Sequence, residues 1–163
     1  DEGNTEISGE TQRTGIDLES RFQILKWMWA DLNVNLSKGI YINQPEGQNH
    51  IPLAPNITST GGITVIHPSG FQGSVRYRFI GERPANEDNS IVALGYTLIN
   101  LRLAYEWGKV TIFGNVENLT NANWNEAQFD TESRLKFEQH PVSEINFTPG
   151  NPINCKIGLF VQF

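Results

Sequence analysis

Residues 153–163, Ile153-Asn154-Cys155-Lys156-Ile157-Gly158-Leu159-Phe160-Val161-Gln162-Phe163, decide the fold. Ile153, Cys155, Ile157, Leu159, Val161 and Phe163 alternate with Asn154, Lys156, Gly158, Phe160 and Gln162. In an extended chain a period of two sends the first set to one side and the second to the other. One face of this segment is therefore apolar throughout, and the other is polar apart from Phe160.

The same period recurs upstream. Thr97, Ile99, Leu101, Leu103, Tyr105 and Trp107 oppose Asn100, Arg102 and Glu106, and Phe71, Val75, Tyr77 and Phe79 oppose Gln72, Ser74, Arg76 and Arg78. Ala30, Leu32, Val34 and Leu36 oppose Asp31, Asn33, Asn35 and Ser37, while Ile16, Leu18, Phe22 and Ile24 oppose Asp17, Glu19, Arg21 and Gln23. Val110, Ile112 and Val116 against Thr111, Asn115 and Glu117 give one more strand, and a glycine-rich strand runs near Ile63 and Val65. The pattern predicts about seven strands. Phe113, Leu98 and Ile80 join Phe160 as apolar exceptions on the polar face. Helical spacing is nearly absent, since its best candidate, residues 126–136, has no sustained apolar stripe.

The connections alternate in length. Tight ones are expected near Leu25 and Lys26, at His67-Pro68-Ser69-Gly70 and at Trp107-Gly108-Lys109; long polar ones are expected at residues 43–56, 82–90 and 121–152. Short turns on one rim and long loops on the other, with strands of about 10 residues or more, describe an antiparallel transmembrane β-barrel. Trp27, Trp29, Tyr105 and Trp107, with Phe71 and Phe163, fall at strand ends beside the tight-turn rim, where an interfacial aromatic girdle is expected. Asp31, Arg76, Arg78, Arg102, Glu106 and Glu117 are expected to line the lumen, mainly as a hydrated wall, with the upper arginines able to steer an anionic ligand.

The composition fits. Only 38% of the 163 residues are hydrophobic and 18% charged, and no apolar run approaches the roughly 20 residues of a spanning helix. A barrel strand needs only one apolar face, so the mean hydropathy of −0.37 is compatible with a membrane protein. A formal charge of −6 and a pI near 5.0 argue against a nucleic-acid partner. Cys155 is the only cysteine and allows no internal disulfide. His50, His67 and His140 are scattered, and no nucleophile elbow, metal-ligand spacing or cofactor motif appears, so neither an enzyme nor a metal or cofactor is expected. Trp124, Phe129 and His50 fall in long loops, where they either grip a small-molecule ligand or pack the loop. The N-terminus, residues 1–4, shows no signal peptide. Counting back from Phe163 through an odd number of strands leaves the first one starting on the far side of the membrane, so further strands are expected before it.

Several segments resemble the C-terminal region of TonB-dependent receptors. They are Thr14-Gly15-Ile16-Asp17-Leu18-Glu19, Ile51-Pro52-Leu53-Ala54-Pro55-Asn56, Arg76-Tyr77-Arg78-Phe79-Ile80-Gly81-Glu82-Arg83-Pro84, Gly95-Tyr96-Thr97-Leu98 and Val116-Glu117-Asn118-Leu119-Thr120-Asn121, with Trp124-Asn125-Glu126-Ala127-Gln128-Phe129 and Phe147-Thr148-Pro149-Gly150-Asn151-Pro152 before the final strand. Each is weak alone; their order and spacing are specific. Lys156-Ile157-Gly158-Leu159-Phe160-Val161-Gln162-Phe163 also resembles the C-terminal signal read by the barrel-assembly machinery, through Lys156, Gly158 and Phe163, with Val161 departing where an aromatic is common. The resemblance implies a plugged barrel of about 22 strands, of which residues 1–163 supply roughly the last third. It further implies an outer-membrane location, contact with lipid, an N-terminal plug and, through that plug, the TonB complex, with a ferric siderophore or cobalamin-like compound as ligand. A small adhesin-like barrel and a soluble ligand-binding β-protein remain as alternatives.

Overall fold

The computed structural model describes residues 9–163; residues 1–4, read above for a leader, lie outside the described residues. The strands are β1 (Thr11–Leu25), β2 (Met28–Tyr41), β3 (Ile57–Ile66), β4 (Phe71–Ile80), β5 (Arg83–Pro84), β6 (Val92–Ala93), β7 (Tyr96–Trp107), β8 (Val110–Glu117), β9 (Asn125–Ser133), β10 (Val142–Pro149) and β11 (Asn154–Val161). Seven of them form one antiparallel sheet in the order β1-β2-β3-β4-β7-β8-β11. These are the seven strands expected from the alternation.

Four further strands were not expected. β5 and β6 pair within the connection between β4 and β7, and β9 and β10 form a hairpin within residues 118–153. The segment that held the best helical candidate is thus largely strand β9. Ala127, Phe129 and Thr131 alternate with Glu126, Gln128, Asp130 and Glu132, but the register sets Phe129 opposite Asn146 and Asp130 opposite Ile145. Neither face of the hairpin is therefore apolar, as fits a hairpin outside the main sheet with no apolar medium on one side.

The register sorts the side chains into two faces. Phe22, Ala30, Ile63, Val75, Leu101, Val116 and Cys155 are successive cross-strand partners across all seven strands, and none is polar. One residue away along each strand, Arg21, Asp31, Gly62, Arg76 and Asn100 are partners on the opposite face. A one-residue slip would exchange the faces, so the alternation fixes the register.

The sheet has almost no packed core. The buried apolar residues are Ala85, Ala93, Leu98 and Ala104, and no large side chain is fully enclosed among the described residues. The apolar face lies open instead, with Ile16 at 70%, Phe22 at 65% and Ile157 at 86% exposure. In water, exposed apolar patches beyond a few hundred Å² are rare on a soluble monomer. A soluble sandwich or small filled barrel would bury this face; here nothing among the described residues covers it. Tight turns at residues 26–27, 67–70 and 108–109 occupy one rim, and the long connections, residues 42–56, 81–95 and 118–153, occupy the other.

Candidate functional site

The polar face collects the six charged residues expected to line the lumen. Asp31 on β2, Arg76 and Arg78 on β4, Arg102 and Glu106 on β7 and Glu117 on β8 share it by register. Arg76 Nη1 donates to Asp31 Oδ1 and forms an ion pair with it, although β3 lies between their strands. Gly62 of β3 makes the reach possible, because a Cβ there would sit 3.0 Å from Arg76 Cδ. Lys156 and Glu117 pair at 3.4 Å, and Gln72 donates to Glu106 at 3.5 Å.

Two arginines lean on rings. Arg102 lies 5.2 Å from the Phe113 ring centre and donates to Asn115 Oδ1 at 3.3 Å. Arg78 lies over both Tyr96, at 5.4 Å, and Trp124, at 5.6 Å, and these two rings are 4.9 Å apart. Cation–π contact holds a guanidinium without cancelling its charge. Among the described residues neither Arg78 nor Arg102 forms an ion pair, so both guanidiniums stay available to an anion on a face that carries charges of both signs.

The long-loop rim is braced by two amides, Asn118 and Gln128, which lie in segments quoted above but were not expected as site residues. Asn118, 3% exposed and at φ +52°, accepts from Ala122 N at 2.8 Å and donates to Ala122 O at 2.9 Å and Asn151 O at 3.1 Å. Asparagine tolerates the left-handed region better than most residues. Gln128, also buried, accepts from Leu94 N and donates to Leu94 O, as a paired strand residue would. Trp124 Nε1 donates to Asn151 O at 3.0 Å, and its indole occupies the space that a Cβ at Gly150 would need. These bonds tie the base of the β9–β10 hairpin to residues 81–95 and to β8. The run Asn118-Leu119-Thr120-Asn121, with positive φ at both asparagines, was the available signal.

The loop residues expected as ligand candidates divide. Trp124 packs the loop base as just described. Phe129 projects from β9 and is about half exposed. His50 is engaged: its backbone N and its Nδ1 both meet Glu87 O, at 3.0 and 3.1 Å, joining residues 42–56 to residues 81–95. Nearby, the Ser90 hydroxyl and backbone N–H donate to Asp88 and hold its carboxyl below the ordinary value of 3.8.

At the tight-turn rim, Tyr105 and Trp107 lie on the apolar face opposite Ile112 and Val110. Trp27 sits in the β1–β2 turn with its ring 5.0 Å from His67, edge to face. Trp29 corrects the girdle expectation. It pairs with Gln23 and Thr64 on the polar face, because it is one residue from Ala30, whose face is the apolar one. In β11, Lys156 and Gly158 belong to the polar face, where Gly158 leaves room for the Phe113 ring. Val161 lies on the apolar face opposite Val110, and Phe163 follows the strand fully exposed.

Residues 3–119 match the family model for the TonB dependent receptor-like β-barrel. The fold resembles the ferric yersiniabactin uptake receptor FyuA from Yersinia pestis (TM-score 0.70, 16% identity, 95% of this chain and 24% of that one). It also resembles the ferric citrate transporter FecA in its unliganded form (TM-score 0.70, 15% identity, 93% and 24%). A third match is the copper transporter OprC (TM-score 0.70, 15% identity, 94% and 24%). The chain thus spans about a quarter of the length of these structures.

Proposed function

Because the chain belongs to the TonB-dependent receptor family, we propose that it forms one wall of an outer-membrane barrel that imports a scarce ligand with energy delivered through TonB. The observation that carries this reading is the seven-strand sheet with one predominantly apolar face open to its surroundings, one polar face and no packed core. Lipid covers the apolar face; further strands of the same barrel pair with β1 and β11, whose outer edges are free within the described sheet. Open edges in a bilayer leave backbone groups unsatisfied at several kcal/mol each, so closure is a physical requirement. The polar face looks into the lumen, against a plug supplied elsewhere in the protein, and that plug engages TonB. Residues 156–163 present the strand that the barrel-assembly machinery reads.

The chemistry of the lumen favours an anionic cargo. Arg78 and Arg102 are held by rings rather than carboxylates, so their charge is free to attract an acidic metal chelate. A ferric siderophore fits this better than a neutral corrinoid, and two of the structural neighbours carry ferric chelates by name. The test is uptake by the full-length protein in a receptor-deficient host, offered radiolabelled ferric citrate, a ferric catecholate and cobalamin in TonB-positive and TonB-negative strains. Accumulation of one ferric chelate only where TonB is present is the expected result. Accumulation of none, with the protein recovered in the soluble fraction, would overturn the reading.

A further inference from the structure

One row of the apolar face has an unusual composition. Val65, Gly73, Leu103, Gly114 and Ile157 are successive cross-strand partners on β3, β4, β7, β8 and β11, so large residues alternate with glycine across the sheet. The result is two furrows, floored by Gly73 and Gly114 and separated by the ridge of Leu103 and Phe71. They lie two strands apart, about 10 Å. The furrow over Gly114 has a volume of about 380 Å³ and is walled by Phe71, Leu103, Tyr105, Ile112 and Ile157. The furrow over Gly73 has about 240 Å³ and shares Phe71 and Leu103.

Backbone geometry does not demand glycine here. Neither Gly73 nor Gly114 has a positive φ; a Cβ at Gly73 would crowd Leu103 Cδ2 at 3.3 Å and Phe71 Cζ at 3.4 Å, so that glycine seats the ridge, whereas a Cβ at Gly114 would meet nothing closer than a backbone oxygen at 4.0 Å. A strand-interior glycine otherwise loses packing and costs backbone entropy, and often marks close approach by a ligand or another backbone. The site lies two rows or fewer from the tight-turn rim, beside Tyr105 and Trp107. The turns of that rim, residues 26–27, 67–70 and 108–109, carry Lys26 and Lys109 and no carboxylate, whereas the long connections of the opposite rim carry nine carboxylates against three cations, Arg83, Arg134 and Lys136. A phosphate is therefore favoured at the tight-turn side.

From these observations we infer that the two furrows seat the acyl chains of a glycerophospholipid from the leaflet on the tight-turn side, with its phosphate at the rim near Lys109. This rests on the membrane reading above and adds a specific lipid seat to it. Lipid A is the less suitable occupant, since its phosphates would lie at the acidic rim.

The test uses the full-length receptor, extracted in mild detergent and weighed by native mass spectrometry, with bound phospholipid identified by extraction. The wild type is expected to retain phospholipid. Gly114→Leu, which fills one furrow, is expected to retain a tenth of that or less, and Leu103→Ala, which removes the ridge, is expected to lose at least half. An Ile16→Leu control on the same face is expected to match the wild type. Equal retention in Gly114→Leu and the wild type would overturn the proposal, as would lipopolysaccharide as the retained lipid. Should Gly114→Leu fail to assemble, undiminished retention in Leu103→Ala would overturn it equally. A receptor that fractionates with outer membranes yet holds no phospholipid removes the furrow proposal alone; one that never reaches the membrane removes the membrane reading.

Discussion

Replacing Val75 by arginine places a charge in the middle of β4 on the apolar face, between Ile63 and Leu101. Val75 is 45% exposed in the described structure. If water covered it, an arginine would reach solvent freely and a surface substitution of this kind would change stability by no more than about 0.5 kcal/mol. If hydrocarbon covers it, the cost near the bilayer midplane is about 2–4 kcal/mol. That is roughly a 30- to 900-fold shift in the folding equilibrium. The control is Asn33→Arg, on the polar face opposite Glu19, where the new charge meets water and a carboxylate and the cost is expected to stay under about 1 kcal/mol. The assay is reversible urea-driven folding of the full-length protein into phospholipid vesicles, followed by tryptophan fluorescence and by heat-dependent gel mobility. Equal costs for the two arginines would refute the assignment of faces.

Other consequences follow from particular contacts. Asn118→Ala leaves two backbone carbonyls and one N–H at the loop base without their partner, at about 1–3 kcal/mol for a buried group; limited proteolysis is expected to cut residues 118–153 faster while the barrel keeps its heat-shifted mobility. A double-mutant cycle on Arg76→Ala and Asp31→Ala is expected to give a coupling of at most about 1 kcal/mol that declines with salt, because the arginine is 42% exposed; vesicle-folding titrations at low and high salt read it. Gly158→Ala forces the Phe113 ring off its seat, at about 1–3 kcal/mol for overpacking, and the same titration is expected to show most of that loss recovered in the Phe113→Ala background.

The seven sheet strands were legible because each has a different medium on its two sides, and that difference is written into the sequence as a period of two. Ile153 to Phe163 shows it most clearly, and Trp29 shows its limit: reading a tryptophan by its place at a strand end overlooked that its parity set it beside Asp31. The β9–β10 hairpin was not legible for the complementary reason. Its faces share similar surroundings, so the short alternation of Ala127, Phe129 and Thr131 with Glu126, Gln128, Asp130 and Glu132 meets no matching apolar set on β10, where Asn146 faces Phe129 and Glu144 faces Thr131. The polar face could be read as a set of residues but not as contacts. That Arg76 crosses β3 above Gly62, and that Arg78 lies over Tyr96 and Trp124, depends on register between strands far apart in sequence. The amide braces at Asn118 and Gln128 depend on loop geometry and carried only the hint of an asparagine pair.

The most direct test of the central claim is a spin-label scan of residues 71–80 in the full-length protein in phospholipid vesicles, comparing collision with oxygen, which concentrates in hydrocarbon, and with a water-soluble nickel chelate. Labels at positions 71, 73, 75, 77 and 79 are expected to favour oxygen, and those at 72, 74, 76 and 78 the chelate. A profile without that two-residue period, or with its phase reversed, would contradict the account.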